Sequence, residues 1–164
     1  MPHRISLERN TLRFSAAHFT TFAGQCEPLH GHNYDVFVEM EGDLTPDSWV
    51  FDFSEGKRLV ADICKEVDHK FMLQVNSKVL QIEATETAWK VRTPADTGYV
   101  LPKADVIALP IDNTTAERLA EWFGERLWQW LEGRGASNVC ALTVEVWEGP
   151  GQRGAHRVER LPQA

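Results

Sequence analysis

The segment "CEPLHGHNYDVFVEM", residues 26–40, holds two histidines one residue apart, directly before a run of alternating polar and apolar residues. His30 and His32 would project to the same side, because alternate side chains of a strand point the same way. His18 has the matching phase in an earlier run. Three imidazoles suit zinc and leave a fourth position for water or substrate. The spacing therefore predicts a three-histidine zinc site, against the alternative of rings that only make hydrogen bonds at a strand end.

Three further features could move protons. Cys26 precedes the first histidine of the pair by four positions, and a nearby cation would lower the pKa of its thiol. The alternative is a small buried hydrophobe. Asp68 and His69 are adjacent, and a carboxylate can orient an imidazole, although helix C-termini often carry histidine for dipole reasons. Glu148 ends an apolar row of alternate residues, where a carboxylate needs a partner: the donors of a ligand or a structural ion pair.

Hydrophobic periodicity predicts the elements that must position these groups. Alternation predicts strands, and helical spacing predicts two helices, with Ser54 as the first N-cap and a Thr114–Glu117 capping box opening the second. Cys64 and Cys140 fall on apolar faces and are expected in the core. The expected elements are strands over residues 5–19, 32–42, 138–149 and 155–161, and helices over residues 53–70 and 114–131.

The order of these elements indicates a single α+β domain over residues 1–164. An antiparallel sheet is expected, with both helices on one face, in the order ββααββ. Residues 75–110 form a long segment between the helices, and alternation around "PADTG" predicts an inserted hairpin there.

Composition excludes several classes of protein. A net charge of −7 argues against a general nucleic-acid binder, although a pocket can still be locally basic. No apolar run approaches the length of a membrane span, and the first residues lack the apolar region of a signal peptide. Three widely spaced cysteines make a disulfide framework improbable, so we expect a cytoplasmic protein without membrane association.

Taken together, these motifs resemble the 6-pyruvoyl-tetrahydropterin synthase/6-carboxytetrahydropterin synthase family. The matching pieces span about residues 12–150, and the central insertion is the main part that does not match. They are "FSAAHF", "CEPLHGHNYDV", "WVFDFSEGK", "VDHKFM", "NTTAERLAEW" and "VEVWEGP". The resemblance implies the tunnelling fold and a homo-oligomer, trimer or hexamer, whose sites lie at subunit interfaces. Asp68 and His69 could then meet Cys26 across such an interface.

The resemblance also implies roles, carried over position by position. The family's zinc ligands fall on His18, His30 and His32. Its catalytic cysteine falls on Cys26, its proton relay on Asp68 and His69, and its pterin-anchoring glutamate on Glu148. The implied substrate is 7,8-dihydroneopterin triphosphate, a small pterin. The short interval between Cys26 and His30 favours the carboxy branch, which releases triphosphate and acetaldehyde and serves queuosine and 7-deazaguanine biosynthesis.

Some alternatives stay open. The pyruvoyl branch would eliminate triphosphate without cleaving the side chain. A zinc hydrolase with Glu148 as base would not need Cys26, and a non-catalytic pterin-binding oligomer would give no product. Gly149 stands where the family usually has threonine. Lys57, Arg58 and Arg153 are available cations for the triphosphate, with surface solubility as the other explanation of each.

Overall fold

The computed structural model describes residues 2–8 and 12–159, and within them the chain is an α+β protein with two α-helices. The predicted strand that ends at residue 161 therefore extends partly outside the described residues. The strands are β1 (His3–Leu7), β2 (Arg13–His18), β3 (Thr21–Phe22), β4 (Gln25–Cys26), β5 (His30–Gly42), β6 (Lys70–Gln74), β7 (Gln81–Ala84), β8 (Ala88–Arg92), β9 (Gly98–Pro102), β10 (Val106–Leu109), β11 (Val139–Gly149) and β12 (Gln152–Glu159). The helices are α1 (Phe53–Val67) and α2 (Ala116–Gly133), and Lys103–Asp105 form a short 3₁₀ turn.

The long strand β5 organises the main sheet. One edge of β5 pairs antiparallel with β2 over its first half and with β1 over its second half, while the other edge pairs with β11. The expected single strand over residues 5–19 is therefore wrong: two strands lie end to end along β5. His18 lies opposite His30 in this register, and Ala16 lies opposite His32. This register places the three histidines at one end of the sheet.

The main sheet is mixed, so the expectation of a purely antiparallel sheet is wrong. Its strand order is β10-β6-β2-β5-β11-β12, with β1 also on β5, and β6 pairs parallel with both β2 and β10. Parallel neighbours need a long connection between them. The inserted segment supplies that connection between β6 and β10. Four of the five residues of β6 are buried, so this strand lacks the alternation by which sequence reveals a strand.

Both helices pack on one face of the main sheet, as expected. That face carries the predicted even-numbered row of β2 and β5, including Phe14, Tyr34 and Val36, all nearly inaccessible to solvent. Val60 and Ile63 of α1 belong to the same core. Six of the eight buried residues of α2 also join it, and they are Leu119, Ala120, Trp122, Phe123, Leu127 and Leu131. Burial of this continuous apolar surface is the main force that holds the sheet and helices together.

Three local predictions were wrong in detail. Asp52, not Ser54, caps α1: its side chain accepts a hydrogen bond from the Glu55 N–H at 2.7 Å. Thr115 caps α2 in place of Thr114. Cys140 is exposed because a β-bulge between Val139 and Ala141 shifts the alternation of β11, whereas Cys64 is buried as expected.

The insertion is a three-stranded antiparallel sheet of β7, β8 and β9, one strand more than the predicted hairpin. Val91 and Tyr99 lie in one row of this small sheet and pack toward Phe19 and Phe71 of the main body. The rings of Phe19 and Tyr99 are 5.4 Å apart. The insertion therefore forms a second apolar cluster together with Phe19, the residue directly after His18.

Neither helix of the described chain is both long and apolar enough to cross a membrane.

Candidate metal centre and active site

The structure brings the three predicted histidines together at the end of β2 and the start of β5. The ligand nitrogens of His18, His30 and His32 all lie within 4.8 Å of one another. The Nε2 atoms of His18 and His30 are 3.2 Å apart. Two nitrogens on a tetrahedral zinc ion are about 3.3 Å apart, given zinc–nitrogen bonds of about 2.0–2.1 Å. The spacing of the described side chains therefore fits a small divalent ion.

The tautomers of two of these rings favour a cation as well. Nδ1 of His18 lies 3.0 Å from the Thr114 carbonyl, and Nδ1 of His30 lies 2.7 Å from the Pro28 carbonyl. A carbonyl can only accept, so each Nδ1 carries a proton, and a ring with no second proton presents a bare Nε2. At 3.2 Å the two Nε2 atoms need a positive charge between them, either a metal ion that both bind or a proton that one ring donates to the other. Backbone carbonyls orient metal-binding histidines in the same way elsewhere.

His18 is the buried member of the triad. Burial lowers its pKa to about 4, and the neighbouring His30 and His32 contribute in the same direction, against an opposing effect of the Thr114 carbonyl. A neutral ring is the form that binds a metal. The Tyr34 hydroxyl lies 3.3 Å from both ring nitrogens of His18 and closes the buried side of the triad.

A short hairpin carries Cys26, four residues before His30. Strands β3 and β4 are joined by Ala23 and Gly24, both with positive φ (49° and 75°), which is the geometry of a tight two-residue hairpin turn. Cys26 ends the hairpin and packs against the apolar cluster below the insertion. Burial raises the pKa of its thiol, and the Glu27 charge adds to this effect. The expected lowering of the Cys26 pKa is therefore not provided by the described side chains.

Glu27 is a candidate residue that the sequence prediction missed. It lines the same hollow as His18 and His30, which we call the triad hollow, with a volume of about 430 Å³. Its backbone N–H donates to the Thr20 carbonyl at 2.9 Å, and the Thr20 hydroxyl donates to its carboxylate. Its charge contributes to the pKa of His18, Cys26 and Glu148, after burial as the main cause in each. Only its adjacency to Cys26 could have drawn attention to it.

Glu148 also lines the triad hollow, near the end of β11. Burial raises the pKa of its carboxyl group. The ion pairs of the described residues do not include Glu148, so the structural salt bridge considered from the sequence is not found there. The first residues of α2 line the hollow beside it. Gly154 of β12 allows the start of α2 to lie close to the sheet, because a Cβ at residue 154 would lie 2.3 Å from the Glu117 nitrogen.

Asp68 and His69 form a pair, but they belong to a second hollow of about 590 Å³, which His69 lines and which we call the relay hollow. Nδ1 of His69 lies 2.9 Å from a carboxylate oxygen of Asp68, whose other oxygen accepts from the Ser15 N–H at 2.8 Å. That backbone bond, followed by contact with His69, lowers the pKa of Asp68. His32 also lines the relay hollow, so the triad borders both hollows. In the described chain Cys26 lines neither of them.

The three candidate cations differ in their position relative to the triad hollow. Arg153 lines the triad hollow, where it stacks on Trp147 and lies 3.4 Å from the Glu145 carboxylate. Lys57 and Arg58 are on α1, and neither lines the triad hollow. Among these three residues, Arg153 is the one placed to meet an anionic group of a ligand in that hollow.

These features define a class: an α+β protein with a three-histidine centre at a sheet end, beside a hollow lined by carboxylates from three separate segments. The model of the family described as 6-pyruvoyl tetrahydropterin synthase matches residues 7–159. The chain belongs to this family, and the resemblance found in the sequence is confirmed.

Individual relatives agree with this assignment. A protein of Methanocaldococcus jannaschii named as a putative 6-carboxy-5,6,7,8-tetrahydropterin synthase is 37% identical over 147 residues, covering 89% of this chain and 90% of that protein. The crystal structure of Plasmodium vivax 6-pyruvoyltetrahydropterin synthase superposes with a TM-score of 0.92 at 30% identity, covering 98% of this chain and 99% of that one. A dihydroneopterin monophosphate aldolase of Pyrococcus furiosus is 26% identical over 136 residues, covering 83% of each chain.

Proposed function

We propose that this protein is a zinc-dependent 6-carboxy-5,6,7,8-tetrahydropterin synthase. Its substrate would be 7,8-dihydroneopterin triphosphate, and its products 6-carboxytetrahydropterin, triphosphate and acetaldehyde, in queuosine and 7-deazaguanine biosynthesis. The observation that carries the proposal is the gathering of His18, His30 and His32 at a hollow that Glu27 and Glu148 also line. The names of the relatives support the carboxy product.

The metal and the thiol would act on the substrate's side chain. His18, His30 and His32 would hold zinc, which would supply Lewis acidity to the side-chain hydroxyls and the developing carbonyl. Cys26 would take a proton from the side chain. His69, oriented by Asp68 at 2.9 Å, would pass protons on.

We propose a homo-oligomer, a trimer or a hexamer, in which the relay hollow of one subunit serves the thiol of another. Two observations support this. The His69 side chain is 82% exposed in the single chain, and Cys26 does not line the hollow to which His69 belongs. A proton relay has to lie within hydrogen-bond reach of the group it serves, directly or through one water. A cytoplasmic location is part of the same proposal.

Glu148 would anchor the pterin, because a carboxylate can accept two parallel hydrogen bonds from the amino and ring N–H groups. We expect Glu148→Gln to raise KM about 10-fold or more and also to lower kcat, because the ring loses its register against the reacting atoms. Steady-state kinetics of the zinc-loaded protein measure both effects. Glu39→Gln, a carboxylate on the sheet outside both hollows, is the matched control. Equal kinetics for Glu148→Gln and the unmodified protein would remove this role.

A second candidate function is aldol-type cleavage of the dihydroneopterin side chain. The position of Glu27 in the triad hollow favours it, because a carboxylate there could serve as the base in place of the thiol. The Pyrococcus furiosus relative is named as a dihydroneopterin monophosphate aldolase. A second solved structure of the Plasmodium vivax protein is that of a catalytic residue mutant in which alanine replaces a glutamate.

Product identification separates these candidates. Zinc-loaded protein is incubated with dihydroneopterin triphosphate, and the pterins and aldehydes formed are identified by mass. We expect 6-carboxytetrahydropterin with acetaldehyde. A 6-hydroxymethyl pterin with a glycolaldehyde fragment would establish aldol cleavage instead, and a pyruvoyl product would establish the other branch of the family. Unchanged substrate with zinc and pterin both bound would identify a non-catalytic binding protein.

A further inference from the structure

We propose that Gln74 and Thr114 are positioning residues, which fix the chain at Phe19 and thereby aim His18 at the metal. The inference rests on the proposed metal centre and adds to it two side chains that line neither of the two hollows. Both are fully buried polar residues of the described chain. They come from different elements, the end of β6 and the loop before α2.

The two side chains converge on one backbone atom. Nε2 of Gln74 donates to the Phe19 carbonyl at 2.8 Å, and the Thr114 hydroxyl donates to the same carbonyl at 3.2 Å. A carbonyl oxygen has two lone pairs, so this acceptor is fully used. Phe19 is the residue directly after His18 and is itself fully buried. Its backbone is therefore held from two sides, one residue from a metal ligand.

Thr114 also acts on the ring of His18 itself. Its backbone carbonyl accepts from Nδ1 of His18 at 3.0 Å, so one residue sets both the tautomer of the ligand and the position of the next peptide. The neighbouring Asn113 holds the backbone of Thr21 by two hydrogen bonds, of 3.0 Å and 2.8 Å. The loop before α2 thus forms hydrogen bonds with the chain from His18 to Thr21, where the hairpin that carries Cys26 begins.

The buried amide of Gln74 destabilises the fold in one respect, and this also points to a positioning role. Its Oε1 is buried and has no hydrogen-bond partner among the described residues. An unsatisfied buried acceptor is destabilising, and an apolar side chain of similar size is often neutral or better for stability. Without Gln74, the Phe19 carbonyl would still accept a hydrogen bond from the Thr114 hydroxyl. The second hydrogen bond, from Gln74, therefore serves to fix the direction of this carbonyl.

The test measures metal binding apart from turnover, so that it does not depend on the proposed reaction. Gln74→Leu removes the donor together with the unpaired oxygen, and Thr114→Val removes only the hydroxyl. We expect the affinity of the metal-free protein for Co²⁺ to fall about 10- to 100-fold in each, the range for loss of an outer partner of a metal ligand. The visible absorption of bound Co²⁺ should also change shape. The unfolding midpoint of metal-free Gln74→Leu should equal or exceed that of the unmodified protein.

Two matched variants separate positioning from general destabilisation. Thr114→Ser keeps the hydroxyl and should restore Co²⁺ affinity to within about threefold. Thr93→Val removes another buried threonine hydroxyl, in the insertion, where it accepts from the Thr97 N–H, and should leave metal binding unchanged. Unmodified affinity and spectrum in Thr114→Val or Gln74→Leu would overturn the proposal. So would an equal loss in Thr93→Val, or a Gln74→Leu protein that fails to fold. Failure of the pterin reaction alone would leave the metal-binding result standing.

Discussion

Replacing His30 with alanine should give a folded protein that has lost its metal. His30 is only partly buried, at the first position of β5, so its truncation leaves no closed cavity. In the metal-free protein the change removes the ring's contacts with His18 at 3.2 Å and with the Pro28 carbonyl at 2.7 Å, so His30→Ala should lose no more than about 2 kcal/mol of stability. We expect zinc affinity to fall by more than about 100-fold, beyond the loss seen when only an outer partner is removed.

Two measurements check this result. Elemental analysis after dialysis should find zinc in the unmodified protein and none in His30→Ala. Added zinc at about 100 times its dissociation constant should stabilise the unmodified protein by about 2.7 kcal/mol and the variant hardly at all. His69→Ala is the control: its side chain is largely exposed and outside the triad, so zinc should stay while turnover falls. Stoichiometric zinc in His30→Ala would refute the three-histidine centre.

The histidine triad could be predicted because strand periodicity is a local property. His18, His30 and His32 share the phase of buried rows on two strands, and neighbouring strands then bring same-face residues together. Glu148 was found in the same way. The bulge that exposes Cys140 lies at the far end of β11 and leaves the phase of the buried Val146 intact, whereas a second register shift, between Trp147 and Gly149, falls at Glu148 itself, whose role stays a prediction.

The features that were missed depend on contacts between distant segments. Pairing of β6 with β10 joins residues on either side of the insertion, and no local pattern in a strand with four of its five residues buried indicates its partner. Glu27 faces the triad hollow only because the hairpin turn at Ala23 and Gly24 returns the chain, with Thr20 fixing the carboxylate. Gln74 and Thr114 act on Phe19 across 55 and 95 residues. Such residues carry no sequence signal of their own function.

Variants of Cys26 and Glu27 distinguish the carboxytetrahydropterin synthase reaction from the aldol-type cleavage. We expect Cys26→Ala to lower the release of acetaldehyde from dihydroneopterin triphosphate by about 10²- to 10⁴-fold, the usual contribution of a positioned acid or base. Glu27→Gln should lose much less. Cys140→Ala, the exposed cysteine of the described chain, is the matched control and should keep full activity. The reverse order, with Glu27→Gln nearly inactive and Cys26→Ala active, would move the protein to the aldol-type candidate.

A titration of the thiol tests the link between the two residues. Burial and the Glu27 charge both raise the pKa of Cys26, so the thiol gives up its proton only above its ordinary range in the chain by itself. Removing the negative charge in Glu27→Gln makes the thiolate less unfavourable, and the Cys26 pKa must move down. The rate of alkylation by iodoacetamide, measured against pH on metal-free Cys140→Ala protein, should therefore rise at lower pH in the Glu27→Gln variant. An unchanged profile would mean that Glu27 does not act on the thiol electrostatically. Glu27 can serve as a base beside Cys26 only at the cost of a less reactive thiol, so the two chemistries compete within one hairpin.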